Sequence, residues 1–167
     1  YYKNAGGRYW RLIKSFPTYF KSNVSNSTTT EKILFTIKKY QKFIVASLAS
    51  STFYWFWRVA SNCRHLTNRE MNVFPLVKIF IDKSSLLDDV CDKYERSLFD
   101  NKKTTTTISR MSGEITQDFY YMKLSKPIID EIDKVLAKHY GFTEEELDFI
   151  INYDIKYRMG DELSAEE

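Results

Sequence analysis

Arg64 and His65 adjoin each other in the stretch FIVASLASSTFYWFWRVASNCRHL, Phe43 to Leu66, soon after the consecutive rings Tyr54, Trp55, Phe56 and Trp57 and the neighbouring Arg58. Cationic and imidazole donors on a loop that leaves a rigid helix make a platform for gripping a polyanion. Their N–H groups can bond phosphate oxygens, and a guanidinium can bond a guanine edge in bidentate fashion. His65 reads as well as a satisfied structural histidine. Arg69 follows close by, Arg8 and Arg11 flank Gly6-Gly7 in the opening YYKNAGGRYWRLIK, and Arg110 closes the run from Thr104 to Thr107. Asn4 can bond an adenine edge, and Thr105 with its neighbours can donate to phosphates or simply line a surface linker.

No other chemistry is spelled out. There is no glycine-rich phosphate loop before a helix, no HExxH pair and no GxSxG elbow. The second histidine, His139, falls at a helix C-terminus, where it complements the dipole. Cys63 and Cys91 lie far apart without a CxxC, so neither a disulfide framework nor a zinc site is indicated, and a cytoplasmic setting is expected. The carboxylates Glu144, Glu145 and Glu146 follow Thr143 as a capping box and read as capping and solvating groups.

The elements that must hold these residues follow from pattern. Phe43 to Trp57 carries no charge, and consecutive rings at 3.6 residues per turn cover every side of a helix, so this segment must be surrounded by protein. A membrane span needs roughly 20 apolar residues, whereas this run is shorter and holds Ser47, Ser50, Ser51 and Thr52; a core helix at about 42–60 is the reading. Its small polar residues mark where another backbone can approach closely. Tyr1 to Lys14 reads as a hairpin turning at Asn4-Ala5-Gly6-Gly7. Alternation in its second strand sets Tyr9, Arg11 and Ile13 against Arg8, Trp10, Leu12 and Lys14. Lys32 to Tyr40 alternates as a strand, with Ile33, Phe35 and Ile37 on one face. Asn68 to Val73 can hold a short helix, and Leu76 to Ile81 a strand or extended connection. Helices are expected at 84–100, 126–140 (Ser125 as cap, Gly141 as stop) and 143–152, with Thr104 to Arg110 and Ile115 to Leu124 extended.

Together these give an α+β fold: a small, mainly antiparallel sheet from the N-terminal hairpin and later strands, packed on a buried aromatic helix, with a C-terminal helical portion. Residues 1–125 form the expected recognition core, 126–160 a helical pair and strap, and 161–167 an acidic tail. At 167 residues with 16% aromatic content, the chain can bury a sizeable core. Net charge is +3, yet residues 1–83 hold 14 Lys or Arg against 3 Asp or Glu, and residues 84–167 hold 11 against 19. Such a division concentrates positive potential on one part of the surface, the footprint of a polyanion-binding face.

The segments YYKNAGGRYW, SSTFYWFWRVASNCRHLTNREMNVFP and SKPIIDEIDKVLAKHYGFTEEELDFIINYDIKYRMG together resemble the C-terminal target-recognition (TaqI-like specificity) domain of adenine-specific DNA methyltransferases. The type is that of single-chain type II (type IIG) restriction-modification enzymes. The resemblance implies double-stranded DNA as partner and an upstream methyltransferase domain in the same polypeptide. That domain would use S-adenosylmethionine and flip the target base. The family's catalytic Asn-Pro-Pro-aromatic motif is missing here, so the expected role is choosing the sequence, with no cofactor or catalytic residue in this piece. The chain opens at Tyr1 inside what reads as a strand, so a piece of a longer protein is expected. The competing reading is a protein-interaction module that binds an acidic partner or sister domain through the same basic face. The expected DNA contacts are Arg8, Arg11, Arg58, Arg64, His65, Arg69 and Arg110, with Asn4 and Thr105 as lesser ones.

Overall fold

The computed structural model describes residues 1–3, 10–22, 31–34, 36–76, 84–110 and 113–160. Its strands are β1 (Tyr2–Lys3), β2 (Phe20–Ser22), β3 (Glu31–Lys32), β4 (Lys103–Ser109) and β5 (Gly113–Phe119). Its helices are α1 (Gln41–Ala49), α2 (Ser51–Ala60), α3 (Asn68–Val73), α4 (Asp88–Asp100), α5 (Lys126–Tyr140), α6 (Glu144–Asn152) and α7 (Ile155–Met159). Short 3-10 turns lead into α1, α4 and α5. The fold is α+β, with helices predominating.

The aromatic stretch is two helices where one was expected. Ser50 takes an extended backbone (ψ 159°), its hydroxyl accepts from Phe53 N–H at 3.0 Å and donates to the Ser47 carbonyl at 2.6 Å. One serine thus ends α1 and caps α2, which is what serine does when its side chain competes with the helical ladder. The break exposes backbone donors that would otherwise be orphaned. Asp133, projecting from α5, takes them: its carboxylate accepts from Ser51 N–H at 2.9 Å, Thr52 N–H at 2.9 Å and the Thr52 hydroxyl at 2.8 Å. The small-residue stripe therefore receives another helix, as its spacing implied.

Phe53, Tyr54 and Trp57 are buried, and the core continues through Phe43, Leu48, Leu66, Leu87, Tyr94, Leu98, Ile129, Ile132 and Leu136. It crosses position 125 without interruption, so the expected 1–125 and 126–160 units share one hydrophobic interior. Gly141 ends α5 in the left-handed region (φ +74°), and Thr143 with Glu146 forms the capping box of α6, both as expected. Ser125 precedes α5 without capping it; its hydroxyl instead meets that of Ser97 at 2.9 Å.

β2, β5 and β4 form an antiparallel sheet in that order, and β1 pairs with β3. The N-terminal pairing survives in reduced form: Lys14 N–H donates to the Tyr1 carbonyl at 3.0 Å and Tyr2 bridges Ile13, while the turn that carries Asn4 and Arg8 lies outside the described residues. Alternation does not sort this segment, because Arg11, Ile13 and Lys14 are all buried. A single bridge does not impose the two-faced pleat of a full strand. The expected strand over Lys32 to Tyr40 is likewise corrected. Among the described residues only Lys32 of this stretch is paired, Lys38–Tyr40 is a 3-10 turn, Ile33 and Ile37 are exposed with no described strand beside them, and Phe35 lies outside the described residues. Beyond Leu76, the connection through Ile81 lies outside the described residues. Among the described residues no helix is long and apolar enough to cross a membrane.

Candidate nucleic-acid interface

The loop from Ser61 to Thr67 is anchored at both ends by ordinary physical chemistry. Ser61 N–H closes α2 on the Trp57 carbonyl at 3.1 Å, and Cys63, at a positive φ of 59°, receives the chain reversal. The Cys63 N–H donates to the Ser61 hydroxyl at 3.0 Å, and the Arg64 N–H to the Asn62 side-chain oxygen at 3.0 Å. Leu66 is fully buried and pins the far side. Thr67 and Glu70 then form the capping box of α3, with Thr67 N–H donating to the Glu70 carboxylate at 2.8 Å. Burial would raise the Glu70 pKa, but its bonds from Thr67 outweigh that and hold it below the usual carboxylate value.

What this frame presents outward is Arg64, His65 and Arg69, all exposed. Among the described residues no carboxylate pairs with Arg64 or His65, and Arg69 acts only at a distance on the committed Glu70. The indole N–H of Trp57 reaches the His65 carbonyl at 3.4 Å, so the aromatic helix sets the loop's height directly. Such an arrangement holds positive charge at a fixed place, which is what register on a phosphate backbone requires.

The other expected contacts divide. Arg11 is only 5% exposed, and its guanidinium carbon lies 3.6 Å from the centroid of Trp57, so it packs inward and offers nothing to an external ligand. Burial lowers its pKa from the usual guanidinium value. Arg58 Nε lies 3.3 Å from Asp154 Oδ2, close enough for an ion pair though not aligned as a hydrogen bond, and its charge is answered within the chain. Asp154 also accepts from the Tyr54 hydroxyl at 3.0 Å; burial first, then that bond, raises the phenol's pKa. Arg110 is exposed where β4 ends, away in sequence from Arg64, and Thr105 is half-buried within β4. The threonine run does not act as a set. Thr104 donates to Asp118 at 2.6 Å and Thr106 shares a bond with Thr116 at 2.9 Å, so these hydroxyls are spent inside the sheet. Arg8 and Asn4 lie outside the described residues.

Part of the charge division is consumed internally. Lys42 meets Asp92 at 2.6 Å, and this ion pair, like that of Arg58 with Asp154, joins the basic front half to the acidic back half.

Sequence reasoning missed the groups that fix the platform from behind. Arg158 of α7, 4% exposed, lies 4.3 Å from the Trp10 ring centroid and 4.6 Å from that of Tyr54, and donates to the Ser51 hydroxyl at 3.2 Å. Trp10 returns its indole N–H to the Arg158 carbonyl at 2.7 Å. Nothing periodic in the closing segment singles Arg158 out. Asp133 did carry a signal, because it occupies the same stripe as Ile129, Ile132 and Leu136, and a carboxylate on an apolar face needs a partner. Among the described residues there is no cluster of His, Cys, Asp and Glu able to hold a metal.

No protein-family model, no curated protein and no solved structure matches the chain.

Proposed function

We propose that this chain recognises duplex DNA in a sequence-specific manner, as the target-choosing part of an adenine DNA methyltransferase or restriction-modification enzyme. On this reading the reaction itself, with its S-adenosylmethionine, belongs to a methyltransferase domain upstream in the same polypeptide. The observation that carries the reading is the exposed set of Arg64 and His65, on a loop held by Trp57 and Leu66, with Arg69 in the first turn of α3 behind its capping box. Arg64 and Arg69 supply charge for phosphates and bidentate donors for guanine, and Arg110 offers a further cation elsewhere on the surface.

The test is retention of a randomised duplex library at low and moderate salt, followed by sequencing of the retained DNA. An enriched short motif is expected. Three phosphate contacts give a slope of about −2.7 in log affinity against log salt, or roughly 40-fold between about 50 and 200 mM. Arg64→Ala should reduce that slope by about one if Arg64 holds a phosphate. It should relax one position of the motif if Arg64 reads a base. Absence of retention at low salt overturns the reading.

A further inference from the structure

We propose that the outer edge of β4 is a docking site for an extended, acidic-ended peptide strand of a partner protein, which adds a fourth strand to the β2-β5-β4 sheet. This inference does not rest on the DNA reading.

β4 is an end strand, paired on one side only. Its register with β5 runs from Lys103 opposite Phe119 to Ser109 opposite Gly113 without a bulge. Among the described residues no backbone bond lies on its outer side. Edge strands are ordinarily blunted by shortness, proline, bulges or inward charges. This one has seven residues, no proline and no bulge, and its only charge is at Lys103. Ile108 is 86% exposed on it, which is unusual for a β-branched apolar side chain in a strand. The sheet also lacks apolar anchorage: among the described residues none of β2, β4 or β5 belongs to the buried core, and the buried side chain among them, Asp118, is occupied by Lys102 at 2.8 Å and Thr104. A strand laid on the edge would satisfy every second backbone group of β4 and cover Ile108.

Charge selects the occupant. Lys103 and Arg110, both exposed, bracket the uncharged stretch between them. A second copy pairing antiparallel with Thr106 opposite Thr106 would set Lys103 opposite Ser109 and Arg110 of each chain opposite Lys102 of the other, a like-charge contact at both ends. An antiparallel strand with an acidic residue opposite Lys103, another opposite Arg110 and an apolar residue opposite Ile108 meets all three. Glu114 faces Ile108 from β5, one strand further in, and so lies about 10 Å from the added strand.

The experiment uses the full chain, isotopically labelled, and a designed Thr/Val peptide with Glu at the two positions that meet Lys103 and Arg110. Backbone amides from Lys103 to Arg110 are expected to shift and gain exchange protection. Replacing both Glu by Lys should weaken binding about ten-fold, with Lys103→Glu recovering part of the loss. Methylating the peptide amides that face β4 should abolish binding, while methylating those on its opposite edge should leave it. Equal affinity for the two charge versions, protection confined to other residues, no binding at about 1 mM peptide, or self-association through β4 would each overturn the proposal. Retention of DNA is read separately, so either proposal can fail alone.

Discussion

Asp133→Ala tests the joint between α1 and α2. Asp133 is fully buried and accepts from two backbone N–H groups and one hydroxyl at the start of α2, with the Arg158 guanidinium close behind on Ser51. Removing the carboxylate strands three donors, each costing about 1–3 kcal/mol when left unmet in an interior. Against that stands the relief of no longer burying an anion, a cost visible in the raised pKa of Asp133, where burial outweighs the bonds from Thr52 and Ser51. The net expectation is about 3–5 kcal/mol, the lower part of the sum for three unmet donors once the anion's burial cost is subtracted. For a chain of this size that lowers Tm by roughly 6–20 °C. Asp133→Asn keeps an acceptor for Thr52 but turns its amide towards Ser51 N–H, donor against donor, for a loss of about 1–3 kcal/mol. Urea unfolding of the three proteins gives the ordering directly. Combined with Thr52→Val, the Ala change should cost less than the sum of the two. An Ala variant within about 1 kcal/mol of the parent, or an Asn variant worse than Ala, refutes the view that this carboxylate caps α2.

Acidification should act in two opposed stages. The raised pKa of Asp133 means the folded state takes up its proton first, so stability rises as pH falls from that pKa towards the unfolded value. For Asp118 and Glu70 burial is outweighed by the bonds from Lys102 and Thr104, and from Thr67, so their folded values are depressed. Their stabilisation is complete above the unfolded values of about 4 and is lost as pH falls through the folded ones. Urea midpoints from neutral to acid pH should pass a shallow maximum that Asp133→Asn flattens. Alkylation of the native protein followed by mass spectrometry should mark half-buried Cys63 well before Cys91, whose thiol burial pushes up to about 12. Gly141→Ala should cost about 1 kcal/mol by thermal melting, because φ is +74° while the added Cβ meets nothing.

Helix positions were legible where a local rule decided them. The stripe of α5, its glycine stop and the Thr143 box depend on residues within a few positions of one another, and the structure keeps all three. The Ser50 break was not legible, because an apolar run looks continuous whether or not one serine turns the backbone, and what settles it is Asp133, far along the chain. Residues 32–40 misled for the matching reason: alternation states which side chains could share a face, not whether a neighbour exists to bury that face. At the candidate interface, Arg64 and His65 were read from type and loop placement and Arg69 from type beside them, and all three are exposed. Arg11 and Arg58 were chosen by the same criterion and are consumed inside, since charge alone does not tell a free guanidinium from one that a distant Trp57 or Asp154 will claim.

That division of the arginines has a physical logic. A guanidinium can lie flat on an indole or phenol and still bond through its edge, so it fills an aromatic interior that ammonium groups leave less well packed. Arg11 on Trp57, and Arg158 between Trp10 and Tyr54, make α2 a rod gripped from the N-terminal segment on one side and from α7 on the other. Asp133 secures the start of the same rod and Asp154 holds Tyr54 and Arg58 along it. The loop bearing Arg64 and His65 leaves the far end, tied back by the Trp57 indole. On the proposed reading, in which Arg64 and its neighbours meet phosphates, that stiffness favours binding, because groups already ordered lose less entropy.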